Sequence, residues 1–203
     1  MSEWDGYILE DYEFGFAPRS VVIDVGCGEG IHVAKLISEG HFAIGIDLDA
    51  SRVSTAARSR FVQARAEALP FRNGCADGVL IKVVLPYVDD RRAIAEIARV
   101  LKAGGRCFVV GHGPGYSLRY LLRPSDWRVA VYGLRTLVNS AVFFVTGRRL
   151  PGFWGDTVMQ TSKHLNTLYR NNGMALTAET LSRSFLGFPV FIYHHIRKLP
   201  GGQ

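Results

Sequence analysis

The sequence predicts an α/β fold, a doubly wound and mostly parallel sheet, and three observations carry that prediction. Short apolar runs alternate with helical patterns through the first half of the chain. The first run ends in the glycine-rich turn "VVIDVGCGEGIH", Val21 to His32, which opens a helical segment. The second run, "AIGID", ends in another acid, Asp47, about 20 residues after that turn.

The elements follow in order. Strands are expected at Val21–Val25, Phe42–Asp47, Arg60–Gln63, Gly78–Lys82 and Arg106–Gly111, with helical stretches between them. The clearest helix runs from about Asp90 to Leu101. Asp89 or Asp90 caps it, Ile94, Ile97, Ala98 and Leu101 repeat at helical spacing, and Gly104–Gly105 forms its exit. Beyond Gly111 the rhythm changes. Residues 112–170 carry most of the arginines and many aromatics, and read as a helical lid over the strand ends. Regular structure returns near Met174–Leu176 and Val190–Lys198 as late strands. The expected organisation is one domain over 1–203: an N-terminal cap (1–20), a nucleotide-binding core (20–111), the helical segment (112–170) and C-terminal strands (171–203). The last residues, "PGGQ", read as a frayed tail.

Composition narrows the class. With 203 residues, 48% hydrophobic and 21% charged, the chain has material for one full core and no sign of global disorder. Cys27, Cys75 and Cys107 match no metal or disulfide spacing, which points to a reducing compartment and no structural zinc. The start, "MSEWDGYILEDYEFGF", is acidic and lacks the basic, then apolar, pattern of a secretory signal, so a cytoplasmic location is expected. The net charge of +6 is concentrated: between Tyr116 and Leu150 stand Arg119, Arg123, Arg128, Arg135, Arg148 and Arg149 against one acid, Asp126.

The glycine turn selects the ligand. Gly26, Gly28 and Gly30 let the backbone approach a bound group closely, and the following helix N-terminus favours negative charge. The spacing is GxGxG, however, with Ile31 where a dinucleotide loop has its third glycine. Asp24 precedes it, and a carboxylate there repels a pyrophosphate but suits a cationic amino group. Asp47 is placed to accept ribose hydroxyls. A nucleoside bearing an amino acid and a sulfonium fits both acids, and that ligand is S-adenosylmethionine.

Residues 20–111 resemble the class I S-adenosylmethionine-dependent methyltransferases, especially the small-molecule branch that includes ubiquinone- and menaquinone-pathway enzymes. The resemblance rests on five ordered blocks: "VVIDVGCGEG", "GIDLDASRV", "FVQARAEALPF", "ADGVLIKVVLPYVDD" and "EIARVLKAGGRCFVV". It implies a Rossmann-like seven-stranded fold, with Asp24, Gly26, Cys27 and Gly28 by the donor's methionine portion. It further implies Asp47 and Leu48 at the ribose, Ala66 and Glu67 by the adenine, and S-adenosyl-L-homocysteine as the product. Two positions depart from the family pattern. Arg65 stands where the family commonly has an adenine-binding acid, so that contact must be supplied otherwise, with Glu67 a candidate. Lys82 ends the fourth strand near the expected sulfonium, where it either turns to solvent or recruits an anionic acceptor.

Methyl transfer from such a donor needs alignment and exclusion of water more than acid–base chemistry. For a hydroxyl acceptor, His112 is the candidate general base with Tyr116 beside it, and His164 is a second candidate. His194 and His195 alternate on a strand and read as structural. No Asn/Asp-Pro-Pro-Tyr stretch follows the fourth strand, no cysteine is placed for attack on a pyrimidine, and no acidic metal site is expected.

Residues 128–145 form an amphipathic helix in projection. Arg128, Tyr132, Arg135, Thr136, Asn139 and Ser140 make a polar arc opposite an apolar face. Two arginines and an asparagine argue against a membrane span, and the favoured expectation is a lid helix with its apolar face packed on the domain. The other reading of 116–150 is contact with a lipid-like or anionic acceptor, or peripherally with a membrane; nucleic acid is disfavoured because no binding motif accompanies the arginines. The expected function is therefore S-adenosylmethionine-dependent methylation of a small or lipid-like acceptor, at oxygen. The rivals are an RNA methyltransferase and a donor-binding protein without turnover.

Overall fold

In a computed structural model, residues 13–54 and 58–201 are described. Most of the expected N-terminal cap and the end of the tail lie outside them. The strands are β1 (Val21–Val25), β2 (Phe42–Asp47), β3 (Phe61–Gln63), β4 (Ala76–Lys82), β5 (Leu101–His112), β6 (Met174–Leu181), β7 (Ser184–Phe185), β8 (Phe188–Pro189) and β9 (Phe191–Lys198). Seven make one sheet in the order β3-β2-β1-β4-β5-β9-β6. The first five are parallel, and β9 runs antiparallel between β5 and β6.

The apolar runs form strands because both faces of the sheet are covered. Val22 packs with Leu36, Leu80 and Phe108 on one face, while Ile23 and Val25 pack with Ile81, Ile97 and Val109 on the other. Helix α1 (Ile31–Ser38) supplies Val33 and Leu36 to the first face. Helices α2 (Asp90–Val100) and α5 (Ser162–Asn171) supply Ile94, Ile97, Leu165 and Leu168 to the second. Asp89 caps α2, accepting from the amides of Arg91 and Arg92. The expected glycine exit of this helix is corrected. The helix ends at Val100, Leu101 already pairs with Ala76 across the sheet, and Gly104 (φ +78) turns within β5.

The segment after β5 is helical, with α3 (Pro114–Leu122) and α4 (Trp127–Thr146) side by side. A Cβ at Gly133 would lie 2.7 Å from the Leu121 amide nitrogen and 2.8 Å from the Ser117 carbonyl oxygen, so glycine permits this backbone approach.

The expected orientation of α4 is reversed. Its polar arc faces inward: Gly133, Thr136, Asn139, Ser140 and Phe143 are buried, and most of the apolar side is open. The reason is the loop that follows. Asn139 donates to the Thr157 carbonyl (2.7 Å) and accepts from the Leu150 amide (2.8 Å), and Ser140 Oγ accepts from the Met159 amide (2.9 Å). Backbone groups of 150–159 thus find their partners on the polar arc, and leaving them unpaired costs more than exposing apolar side chains.

Candidate methyl-donor site

The loop between β1 and α1 leaves the sheet where strand order reverses, between β1 and β4, the place where open α/β sheets bind ligands. The amides of Gly26 and Cys27 both donate to the Ile46 carbonyl, at 2.7 and 2.9 Å, which ties the loop across the end of β2. Gly26 has φ +76, and a Cβ there would lie 2.1 Å from Val84 Cγ2, so only glycine fits. Gly30, also in the left-handed region, precedes α1 without a side-chain cap, which leaves amides at the helix start for a ligand.

Asp47 braces the same loop. Its Oδ2 accepts from the Gly28 amide at 2.9 Å and its Oδ1 from the Asp49 amide at 3.0 Å. A carboxylate has about four acceptor sites, so two such bonds leave capacity for ribose hydroxyls. The Cys27 side chain is buried against the glycine of β2: a Cβ on Gly45 would lie 2.7 Å from Cys27 Sγ. Burial and two neighbouring acids push its thiol up to about 12, and Sγ donates to the Gly28 carbonyl at 3.9 Å.

Asp24 is the unusual group. It is 1% exposed, and its Oδ2 has no hydrogen-bond partner among the described residues. Burial raises its pKa to about 7, against the opposing pull of Lys82 and with a smaller push from Asp47. A buried carboxylate oxygen without a partner is costly unless a cation completes it. This fits the ammonium of a methionine portion, and it is the test on which the donor reading stands.

Beside the loop lies a cavity of about 560 Å³, within the range for small-molecule sites. Asp24, Cys27 and Gly28 are not among its lining residues; Gly26, Asp47, Leu48, Ala66 and Lys82 line it together. Glu67 does not. Its Oε1 lies 3.5 Å from Arg65 and 3.3 Å from the Asp89 amide, and the residue lines an adjoining cavity with Asp90 and Arg149. Arg52 and Tyr87 also line the donor cavity, and sequence reasoning missed both. Arg52 sits five residues past Asp47 in an unpatterned turn, whereas Tyr87 closes the strand exit "KVVLPY", where an aromatic residue could have been flagged.

The candidates on the acceptor side form a separate group. His112 stacks on Tyr116 with ring centroids 3.6 Å apart, and Tyr87 meets His112 edge-on at 6.2 Å. Tyr116 bonds Tyr120, and Tyr87 bonds Tyr132 of α4, through their hydroxyls. Burial drives the His112 pKa down to about 3, and its Nδ1 has no partner among the described residues. The ring is therefore neutral at physiological pH and a weak proton store. His164 stands elsewhere, bonded to Asp90 at 2.9 Å between α5 and α2. His194 is buried, in contact with Tyr169 and Glu179, and His195 packs on Phe108, in keeping with structural roles.

Residues 23–109 match the family model described as a methyltransferase domain. In strand order, glycine loop and this match over under half of its length, the chain is similar to the class I S-adenosylmethionine-dependent methyltransferases. Among curated relatives, the ubiquinone/menaquinone biosynthesis C-methyltransferase UbiE of Xylella fastidiosa is 36% identical over 123 residues, 53% of this chain and 47% of that relative. The biotin biosynthesis bifunctional protein BioHC of Cellvibrio japonicus is 32% identical over 116 residues, 54% of this chain and 23% of that relative. The chain thus spans less than half the length of either. In fold it is similar to an S-adenosylmethionine-dependent methyltransferase from Methanosarcina mazei (TM-score 0.65, 22% identity, 96% of both chains). It is also similar to geranyl diphosphate C-methyltransferase from Streptomyces coelicolor, solved with S-adenosyl-L-homocysteine (TM-score 0.61, 16% identity, 92% of this chain and 75% of that one).

Proposed function

We propose that the protein transfers a methyl group from S-adenosylmethionine to an oxygen of a small or lipid-like, anionic acceptor, leaving S-adenosyl-L-homocysteine. The observation that carries the donor half is Asp24, whose buried Oδ2 lacks a partner at the glycine loop. In this reading Asp24 accepts from the donor ammonium and the backbone of Gly26, Cys27 and Gly28 follows the methionine portion. Asp47 holds the ribose, and Leu48 and Ala66 wall the base. Glu67 contributes at most through its backbone, because its side chain turns to the adjoining cavity. Cytoplasmic location and a single domain over 1–203 belong to the same proposal.

The bound donor supplies a methyl group already activated on a sulfonium. The chain has then to bring an oxygen lone pair into line with it: the O–C bond forms, the C–S bond breaks, and that pair stays on sulfur. Lys82, in the donor cavity and close enough to Asp24 to lower its pKa, supports an acceptor that arrives as an anion. Neutral His112, backed by Tyr116, supports a hydrogen bond that orients the acceptor instead of a stored proton. Those two groups support oxygen as the target, although the relatives UbiE and geranyl diphosphate C-methyltransferase are named for carbon. Transfer from methyl-labelled donor, with the product read by NMR and mass, is the test. Label on oxygen supports the proposal, and label on carbon or nitrogen refutes the atom assignment. His112→Ala should lower kcat with little change in S-adenosyl-L-homocysteine affinity, and wild-type turnover would remove His112 from the site.

A further inference from the structure

Helix α4 has its amphipathicity turned outward. Trp127, Val131, Leu134, Val138, Ala141 and Val145 recur at alternating spacings of four and three, which sets them in one stripe along the helix. Trp127 is 71% and Val145 86% exposed, Leu134, Val138 and Ala141 are also exposed, and Val131 is half-buried. No charged or polar residue interrupts the stripe. The opposite arc is bonded to the 150–159 backbone through Asn139 and Ser140, so the helix cannot roll to bury the stripe without breaking those bonds.

The charges at its ends say what covers it. Arg123 and Arg128 are exposed near the start of α4, and Arg148 is exposed just past its end. The nearby acids are engaged: Asp126 caps α4 and Asp156 pairs with Arg135 at 2.5 Å. A second copy docked stripe to stripe meets arginine with arginine in either direction, because both ends are positive. An anionic lipid surface complements both ends at once and takes the apolar stripe into its headgroup boundary. Trp127, 71% exposed at the start of the stripe, suits that boundary. Helix α4 is also long and apolar enough to cross a bilayer. Its bonded polar arc and its packing on α3 hold it flat on the domain instead.

We infer that the outward face of α4 docks the protein on an anionic membrane surface. Tyr132 projects from the inner side of the same helix toward Tyr87 at the donor cavity. Docking therefore sets the bilayer about one helix diameter, ~10 Å, from the site. The inference rests on the proposed methyl transfer only in naming the benefit, access to a lipid-like acceptor.

The test is sedimentation of the whole protein with vesicles of phosphatidylcholine alone and of phosphatidylcholine containing phosphatidylglycerol. Wild type should bind the anionic vesicles at low salt and release at high salt. The double variant Leu134→Glu/Val138→Glu should bind at least about tenfold more weakly, and Arg128→Gln/Arg148→Gln about fivefold more weakly per arginine. Circular dichroism checks the fold of each variant. No binding by wild type to anionic vesicles at low salt overturns the inference. So does a dimer in light scattering that the glutamate variant dissociates. Calorimetry with S-adenosyl-L-homocysteine in the same samples separates the failures: donor binding without vesicle binding sinks the docking alone, and the reverse sinks the methyl-transfer reading alone.

Discussion

Asp24 is a carboxyl group with a pKa of about 7 in the folded chain against 3.8 in the open one, because burial disfavours its charge more than Lys82 favours it. About three units correspond to about 4 kcal/mol. An acid with a raised folded pKa holds its proton on folding. Its contribution to stability is therefore fully present below pH 3.8 and is lost as pH rises through about 7. Donor binding reverses the balance, since the ammonium requires the carboxylate. Affinity for S-adenosyl-L-homocysteine should then rise with pH up to about 7 and level off above it. Roughly a tenth of Asp24 is ionised at pH 6 and roughly nine-tenths at pH 8, so calorimetric titrations should show about a tenfold gain across that window. Asp24→Asn should abolish the pH dependence and weaken binding on the order of 100-fold, the effect of breaking a buried pair at about 3 kcal/mol. The ligand-free variant should in turn gain about 1 kcal/mol or more at pH 8, about 2–4 °C in Tm. Wild-type affinity that is flat from pH 6 to pH 8, or an Asn variant that binds as tightly, refutes the reasoning.

Three further outcomes follow from the same geometry. Lys82→Met removes the charge that lowers the Asp24 pKa, so the midpoint of the binding-versus-pH curve should move above about 7; an unmoved midpoint would show that Lys82 does not act on Asp24. Gly26→Ala sets a Cβ 2.1 Å from Val84 Cγ2 at φ +76 and should cost about 2 kcal/mol or more with loss of donor binding, read by thermal melts and calorimetry. Asn139→Leu strands the Thr157 carbonyl and the Leu150 amide and should cost about 2–4 kcal/mol by denaturant unfolding. A neutral effect there would mean that the 150–159 loop does not depend on the polar arc of α4.

Much of the sheet was legible because parallel strands buried on both faces are written as continuous apolar runs. β1 and β2 have the expected bounds. β5 is longer than expected because Gly104 bends the strand instead of ending the helix before it. The β7–β8 hairpin was not legible: Leu186 and Gly187, both at positive φ, make its turn, and leucine is not a turn signal. On α4, periodicity shows which side is apolar and not which side is covered. The covering choice was made by the backbone groups of 150–159, eleven to nineteen residues away in sequence. At the glycine loop the residue types at positions 24, 26, 28 and 47 were enough to propose donor binding, because glycine and acid spacing is local. The direction of the Glu67 side chain and the isolation of Asp24 Oδ2 depend on packing between distant elements and were visible only in three dimensions.

The central claim is that the glycine loop and Asp24 hold the methyl donor. A structure of the protein with bound S-adenosyl-L-homocysteine tests it most directly. The account predicts the ligand ammonium within hydrogen-bond distance, ~3 Å, of Asp24 Oδ2, with the ribose hydroxyls on Asp47. A ligand seated elsewhere, or one that leaves Asp24 Oδ2 without a partner, would contradict it.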